Sequence, residues 1–168
     1  MGAKHRIRLS DGNKEDLGGA SQLLQKYFGV LEDYEAESVK ELLTKENGHL
    51  IVAEAEDKII GMMVVTEREN RGEVKYCVVS EESRGHGLSC EMFSLVIEQN
   101  WFDNYTIDCW GIKKDKIHLH KLISTFGFKQ VGEPDDRWVT PRLCTVCVGR
   151  KECGGECWCT PFSWEKEE

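Results

Sequence analysis

The run Arg84-Gly85-His86-Gly87-Leu88-Ser89 holds two glycines where an apolar segment ending in Val78-Val79 gives way to a helical pattern opening at Leu88. A loop of this kind can turn several backbone N–H groups toward one point, and the helix start adds partial positive charge there. Gly85 and Gly87 let a phosphate approach the backbone, and Arg84 and His86 carry further donors. A diphosphate is the natural ligand. A tight strand-to-helix turn with no ligand is the competing reading of the same spacing. The run lacks Gly-Lys-Ser/Thr, which excludes a P-loop, and it lacks the third glycine of the dinucleotide fingerprint.

A second constellation is Cys144-x2-Cys147-x5-Cys153-x3-Cys157-x-Cys159. Four thiolates, here Cys144, Cys147, Cys153 and Cys157, can enclose Zn2+ tetrahedrally, and Cys-x2-Cys is the usual half-site. The second half is not a standard half-site. An iron–sulfur cluster would use the same donors, a reducing cytosol disfavours a disulfide, and free thiols in a poorly ordered tail are the plain alternative. The segment is too short to build its own core, which gives a metal a structural role. Of the eight cysteines, Cys77, Cys90 and Cys109 sit inside apolar stretches and read as small core residues.

These groups need elements to hold them. A short strand over His5–Ser10 precedes a helix starting near Asp16, whose apolar positions Leu17, Ala20, Leu23, Leu24, Tyr27 and Phe28 recur at helical spacing up to Gly29. A second helix is expected over Glu35–Lys45 and a turn at Glu46-Asn47-Gly48. Strands follow over His49–Glu54, Ile59–Glu67 and Glu73–Val79, with turns at Asp57-Lys58 and Asn70-Arg71-Gly72. Beyond the glycine loop come a helix over Leu88–Asn100, a strand over Thr106–Trp110, a helix over Lys116–Phe126, and a short strand over Phe128–Val131. Arg137–Val146, interrupted by Pro141, is the candidate for one more strand. The order β-α-α-β-β-β-α-β-α-β predicts an α/β (α+β) fold, a mixed sheet with helices on both faces.

The 168 residues suit one domain with a full core, and 40% apolar with 31% charged residues is the balance of a soluble protein. No apolar run reaches the length of a membrane span, and no secretion signal opens the chain, so the cytoplasm is the expected location. A net charge of −8 argues against a nucleic-acid-binding surface and favours cationic partners, amines included.

The loop resembles the acyl-CoA loop of the GNAT acetyltransferase superfamily, Arg/Gln-x-x-Gly-x-Gly/Ala after a strand ending in Val. Ser89 replaces the final small residue. A second block of the family, a helix ending in Gly-Phe before a short strand, resembles Phe126-Gly127-Phe128-Lys129-Gln130-Val131-Gly132, and the likeness covers roughly Ile7 to Gly132. The resemblance implies a mainly antiparallel GNAT-type sheet and acetyl-CoA as the acyl donor. The strand before the loop would splay from its neighbour, so that the backbone of Cys77, Val78 and Val79 pairs with the pantetheine arm. A backbone N–H would then face the developing oxyanion. The acceptor would be a small-molecule or peptide amine. The run Glu73-Val74-Lys75-Tyr76-Cys77-Val78-Val79 is similar to the strand of the histone-acetylating branch, which gives Glu73 the role of general base. The bland alternative is an exposed glutamate at a strand start. Strict alternation would place Glu73, Lys75, Cys77 and Val79 on one face.

Two departures stand out. The tyrosine that many members carry as an acid toward the thiolate is Ile123 here, with Tyr76, His118 and His120 as substitutes, and the usual helix asparagine is replaced near Lys116. An alkyl thiolate, with a pKa of about 8.5, leaves without much help. Lys113, Lys114 and Lys116 can meet the ribose phosphate or form a solvated loop. The expected division is residues 1–140 as the acetyltransferase domain and residues 141–168 as a cysteine-rich segment, with a homodimer left open. A non-catalytic acyl-CoA-binding module, or a metal or redox sensor on the same fold, is the alternative function.

Overall fold

The computed structural model describes residues 4–109, 111–113, 116–117, 119–133 and 159–168. Strand β1 (Arg6–Leu9) leads to helix α1 (Lys14–Phe28), which starts two residues earlier than its apolar pattern suggests. Asn13 caps it, its side chain accepting the Asp16 N–H at 2.9 Å, and Glu15 and Asp16 complement the positive end of the dipole. A 3-10 turn (Glu32–Tyr34) joins it to α2 (Ala36–Lys45). Three long antiparallel strands follow, β2 (His49–Ala55), β3 (Lys58–Arg68) and β4 (Arg71–Val79). Glu69 and Asn70 take positive φ and make the β3–β4 turn, so Arg71 and Gly72 belong to the strand rather than to the expected turn.

After the glycine loop come α3 (Leu88–Gln99) and β5 (Asn104–Cys109). The expected helix over Lys116–Phe126 is a hairpin followed by a shorter helix: β6 (Gly111–Lys113) pairs with β7 (Lys116–Ile117), and α4 runs only over His120–Phe126. Strand β8 (Lys129–Gln130) and strand β9 (Thr160–Glu165) follow among the described residues. Among the described residues the main sheet has seven strands in the order β1-β2-β3-β4-β5-β9-β8, and all these pairs are antiparallel except β4 with β5. The α/β (α+β) expectation holds. The added strand beside β5 is Thr160–Glu165; the expected Arg137–Val146 lies outside the described residues.

Each face of the sheet carries its own core. On one side α3 and α4 set Leu88, Met92, Phe93, Val96 and Leu122 against Ile51, Met63, Val65, Val74 and Ile107. On the other, α1 and α2 set Leu17, Leu23, Leu24 and Val39 against Val52, Met62, Val64, Tyr76 and Val78. Cys109 lies in the first core, with Cys77 and Cys90 packed against it, as small apolar residues would.

These two lists locate a β-bulge. Along β3, Val64 stands opposite Tyr76 and Val65 opposite Val74, which leaves Lys75 as an extra residue. The bulge shifts the alternation by one. Cys77 and Val79 face α3, whereas Glu73, opposite Thr66, faces the α1/α2 side with Tyr76 and Val78. The expected common face of Glu73, Cys77 and Val79 is therefore corrected: β4 does not alternate strictly.

Candidate functional site

The glycine loop joins β4 to α3 through a 3-10 turn at Glu81–Ser83. Gly85 (φ +81°) and Gly87 (φ +77°) both occupy the left-handed region, so the turn itself requires them. A Cβ at either would meet nothing within 4 Å, so the space in front of both is open. Gly87 is the N-cap of α3 and makes no side-chain capping bond, and the first intrahelical bond runs from Glu91 N to Gly87 O at 3.0 Å. The N–H groups of Leu88, Ser89 and Cys90 thus lack helical acceptors and point out of a helix start, the arrangement that attracts an anion.

The loop is braced from below. Arg84 Nε donates to Val79 O at 3.1 Å, and its guanidinium lies 4.9 Å from the centre of the Tyr27 ring. The Tyr27 hydroxyl accepts the Glu81 N–H at 2.7 Å. His86 Nδ1 donates to Ser83 O at 3.3 Å. Arg84 holds the loop with one donor and keeps others for a ligand, while His86 spends its Nδ1–H on Ser83 O. Tyr27 is a site residue that its sequence context hides, because its helical spacing alone assigns it to the core.

Strands β4 and β5 pair only through Gly72–Val74 against Tyr105–Ile107. Beyond Val74, where the bulge bends β4, the two separate, and the β5-facing edge of Cys77, Val78 and Val79 carries no ladder. The expected splay is thus present, and it leads directly to the glycine loop. Burial pushes the Cys77 thiol up to about 12, so it stays neutral.

Glu73 is half-buried, its side chain 17% exposed, with Arg68 Nη1 3.8 Å from Oε2. It is neither at a strand end nor free of neighbours, since β4 begins two residues earlier. Parallel pairing sets Thr106 beside it and brings Asp108 to the same face. Asp108 keeps an exposed surface, and the protein mass around its carboxyl, then the Glu73 carboxylate, pushes its pKa up. Burial, then Asp33, Glu46 and Glu73, pushes the Tyr76 phenol up to about 12. Glu46, Glu67, Arg68, Glu69, Glu73 and Lys75 line a cleft of about 430 Å3.

Ile123 packs against the α3-side core and offers no acid. Tyr76 lies on the opposite sheet face from Cys77. Lys113 and Lys116 fall on the β6–β7 hairpin rather than on a helix; Lys114 and His118 lie outside the described residues, as do the metal candidates Cys144, Cys147, Cys153 and Cys157. Among the described residues no group of three or more His, Cys, Asp and Glu is arranged to hold a metal, and no helix is long and apolar enough to cross a membrane.

The pattern of the acetyltransferase (GNAT) family matches residues 19–128, well over half of the chain, and the chain belongs to that family. A protein named N-acetylaspartate synthetase from Danio rerio is 31% identical over 87 residues, 51% of this chain and 31% of that protein, so the chain covers about a third of its relative's length. The fold is shared with a GNAT family acetyltransferase from Elizabethkingia anophelis solved with acetyl-CoA bound, at 19% identity, TM-score 0.63, and coverage of 96% and 97% of the two chains. It is shared also with the ribosomal-protein-S18-alanine N-acetyltransferase from Escherichia coli, at 9% identity, TM-score 0.69, and coverage of 98% and 96%.

Proposed function

We propose that the chain transfers an acetyl group from acetyl-CoA to a primary amine. The observation that carries this is the splay of β4 from β5 beside the uncapped start of α3. The diphosphate of CoA would meet the N–H groups of Arg84–Ser89, with the Arg84 guanidinium as a further donor. The free backbone edge of Cys77, Val78 and Val79 would hold the pantetheine arm and place a donor at the thioester oxygen. A family relative solved with acetyl-CoA, and family membership itself, support this over a non-catalytic binding module.

The acceptor would enter from the α1/α2 side, where Glu73 stands. An amine at neutral pH is mostly protonated; Glu73 takes the proton, the amine nitrogen attacks the thioester carbonyl, and the carbon–sulfur bond breaks to release the thiolate of CoA, which takes up a proton from solvent. Cys77 does not act as an intermediate acyl carrier, because its thiol is neutral and faces α3 on the other side of the sheet. In the Danio rerio relative's name the acceptor is an amino dicarboxylate. The three further carboxylates and two cations beside Glu73 oppose carrying that acceptor over.

The test is release of free thiol from acetyl-CoA in the presence of a panel of amines, with CoA affinity measured separately. Thiol release that depends on an amine supports the reading. Tight CoA binding without release from any amine would return the chain to a binding module.

A further inference from the structure

Strands β4 and β5 are each secured on their outer sides and open toward each other. Strand β3 pairs with β4 as far as Val79, opposite Gly61, and β9 pairs with β5 as far as Cys109, opposite Thr160. Among the described residues, the ladder between β4 and β5 ends with Val74 and Ile107. Beyond that pair, with the bulged Lys75 left out of register, Tyr76 comes level with Asp108 and Cys77 level with Cys109. The side chains agree with this register. Cys77 and Cys109 both lie on the α3 side, Cys109 in the core and Cys77 packed against it. Two free thiols therefore flank the open gap on one face of the sheet, one on each strand.

The two thiols sense each other. Burial, then the Cys90 thiol, pushes Cys77 up; burial, then the Cys77 thiol, pushes Cys109 up. Cys109 is 1% exposed and Cys77 is only half-buried, so a reagent in the gap reaches Cys77 first. Spacing decides what the pair can do. A ligand arm laid between β4 and β5 sets the strands about two strand spacings apart, about 9.5 Å. A disulfide needs its Cα atoms within about 6.8 Å. One gap cannot hold both.

We propose that Cys77 and Cys109 form a redox-sensitive modification site, a disulfide between them drawing β4 and β5 together and shutting the slot that would take the pantetheine arm. The role of the slot rests on the acetyltransferase reading above; the disulfide does not. The oxidant is a low-molecular-weight disulfide such as oxidised glutathione. Cys77 loses its proton to solvent, and its sulfur attacks the oxidant, forming a mixed disulfide and expelling one thiolate. Cys109 then loses its proton and attacks the Cys77 sulfur, forming the Cys77–Cys109 bond and expelling the second thiolate. Both expelled thiolates take up protons, so two protein thiols are oxidised and one small disulfide is reduced to two thiols. Because burial keeps both protein thiols neutral, the exchange is slow at neutral pH and quickens by about tenfold per pH unit. By linkage, CoA in the slot disfavours the disulfide by the same factor as the disulfide weakens CoA binding.

The experiment treats the full chain with oxidised glutathione at mildly alkaline pH, with and without CoA. Samples through the time course are mapped by mass spectrometry of cleaved peptides, and their CoA binding is measured by calorimetry. The map should join Cys77 to Cys109, and the fraction joined should track the fraction whose CoA affinity has fallen. That fall should be about tenfold or more, the equivalent of losing one or two hydrogen bonds to the ligand, and dithiothreitol should reverse it. CoA added beforehand should reduce the joined fraction. In Cys109→Ala, Cys77 should retain glutathione, because the resolving thiol is gone. Should that variant fail to fold, the time course of the unaltered chain decides. Cys77 and Cys109 left unjoined, CoA affinity lost ahead of the joined fraction, or a joined pair with unchanged affinity would each overturn the proposal. A reduced chain that binds no CoA would overturn the acetyltransferase reading; the map alone would then judge the disulfide, joined cysteines supporting it and unjoined ones overturning it.

Discussion

Glu73 owes its place to a neighbour that does no chemistry. Because Lys75 is the extra residue of the bulge, Glu73 faces α1 and α2 and not the helix that starts at the glycine loop. Under the proposed reaction, an amine entering from that side would meet the carboxylate before it met the thioester. Glu73→Gln should keep the fold and the CoA affinity while the single-turnover rate falls by about 100-fold, the lower range for a positioned base. The deficit should shrink as pH rises, since more of the amine is already neutral. Equal single-turnover rates across pH would remove Glu73 from the mechanism. A different carboxylate carries stability. Asp16 is 2% exposed and takes two hydrogen bonds of 2.8 Å from Arg8, with Ser10 and Asn13 also donating to it. Arg8, first of all, holds its pKa below the usual carboxylate range. A depressed pKa contributes stability above the unfolded value, near ~3.9, which is lost as pH falls through the lower folded value. Asp16→Asn should lower stability by about 3 kcal/mol at neutral pH, because it leaves Arg8 with only the Glu54 carboxylate. The mutant should also lose less on acidification, which urea titrations at pH 7 and pH 3 would read. A parallel loss in both proteins would show that Asp16 is not the titrating group.

At the scale of elements, the bulge and the splay share one place. Strand β4 leaves β5 after Val74, and Lys75 is the next residue. Deleting Lys75 removes the extra residue and keeps every other β4 side chain on its present face, since Val74 and Tyr76 already point to opposite sides. The straightened strand should continue its pairing with β5, and Tm should hold or rise. CoA affinity should fall by about tenfold or more, the equivalent of losing one or two hydrogen bonds to the ligand. Unchanged CoA affinity in a folded deletion variant would separate the bulge from the splay. The glycine loop was legible because left-handed backbone at a helix start is written in residue type, Gly85 and Gly87. The bulge was not, because Lys75 fits an alternating pattern as well as it fits an insertion. The β6–β7 hairpin was hidden for a related reason: the apolar residues Leu119, Leu122, Ile123 and Phe126 look helical in spacing and carried the helix back to Lys116, although it starts only after Leu119, whose φ is +64°. The acidic cleft escaped notice because Glu46 ends α2, Glu67 lies in β3 and Glu69 in the turn after it, and only the fold brings them together.

At the scale of the molecule, the end of the chain closes the sheet. The cysteine spacing drew attention to residues 141–168 as a separate segment, yet Thr160–Glu165 sits inside the main sheet between β5 and β8. It pairs with β5 from Asn104–Glu165 to Cys109–Thr160, and Lys129 and Gln130 pair with it from the other side. Phe162 enters the α3-side core, and the Trp164 ring lies 6.0 Å from Phe93 and 5.8 Å from Tyr105. Strand formation here follows from what the neighbours lack: without β9, the β5 ladder and the Phe93 ring lose their cover. Phe162→Ala should cost about 3–5 kcal/mol, a substantial part of the ~5–15 kcal/mol that holds a domain together. Ending the chain after Cys159 removes that ring, Trp164 and the whole ladder at once. This truncation should abolish cooperative unfolding. Ending it after Lys166 should leave Tm unchanged, because Lys166 keeps its N–H bond to Asp103 O at 2.8 Å and its ammonium bond to Asn100 at 2.6 Å, while Glu167 and Glu168 are exposed. Thermal melts followed by circular dichroism would compare the two truncations with the full chain. A sharp melt at the full-length Tm in the Cys159 truncation would show that β9 is an addition to a sheet complete without it.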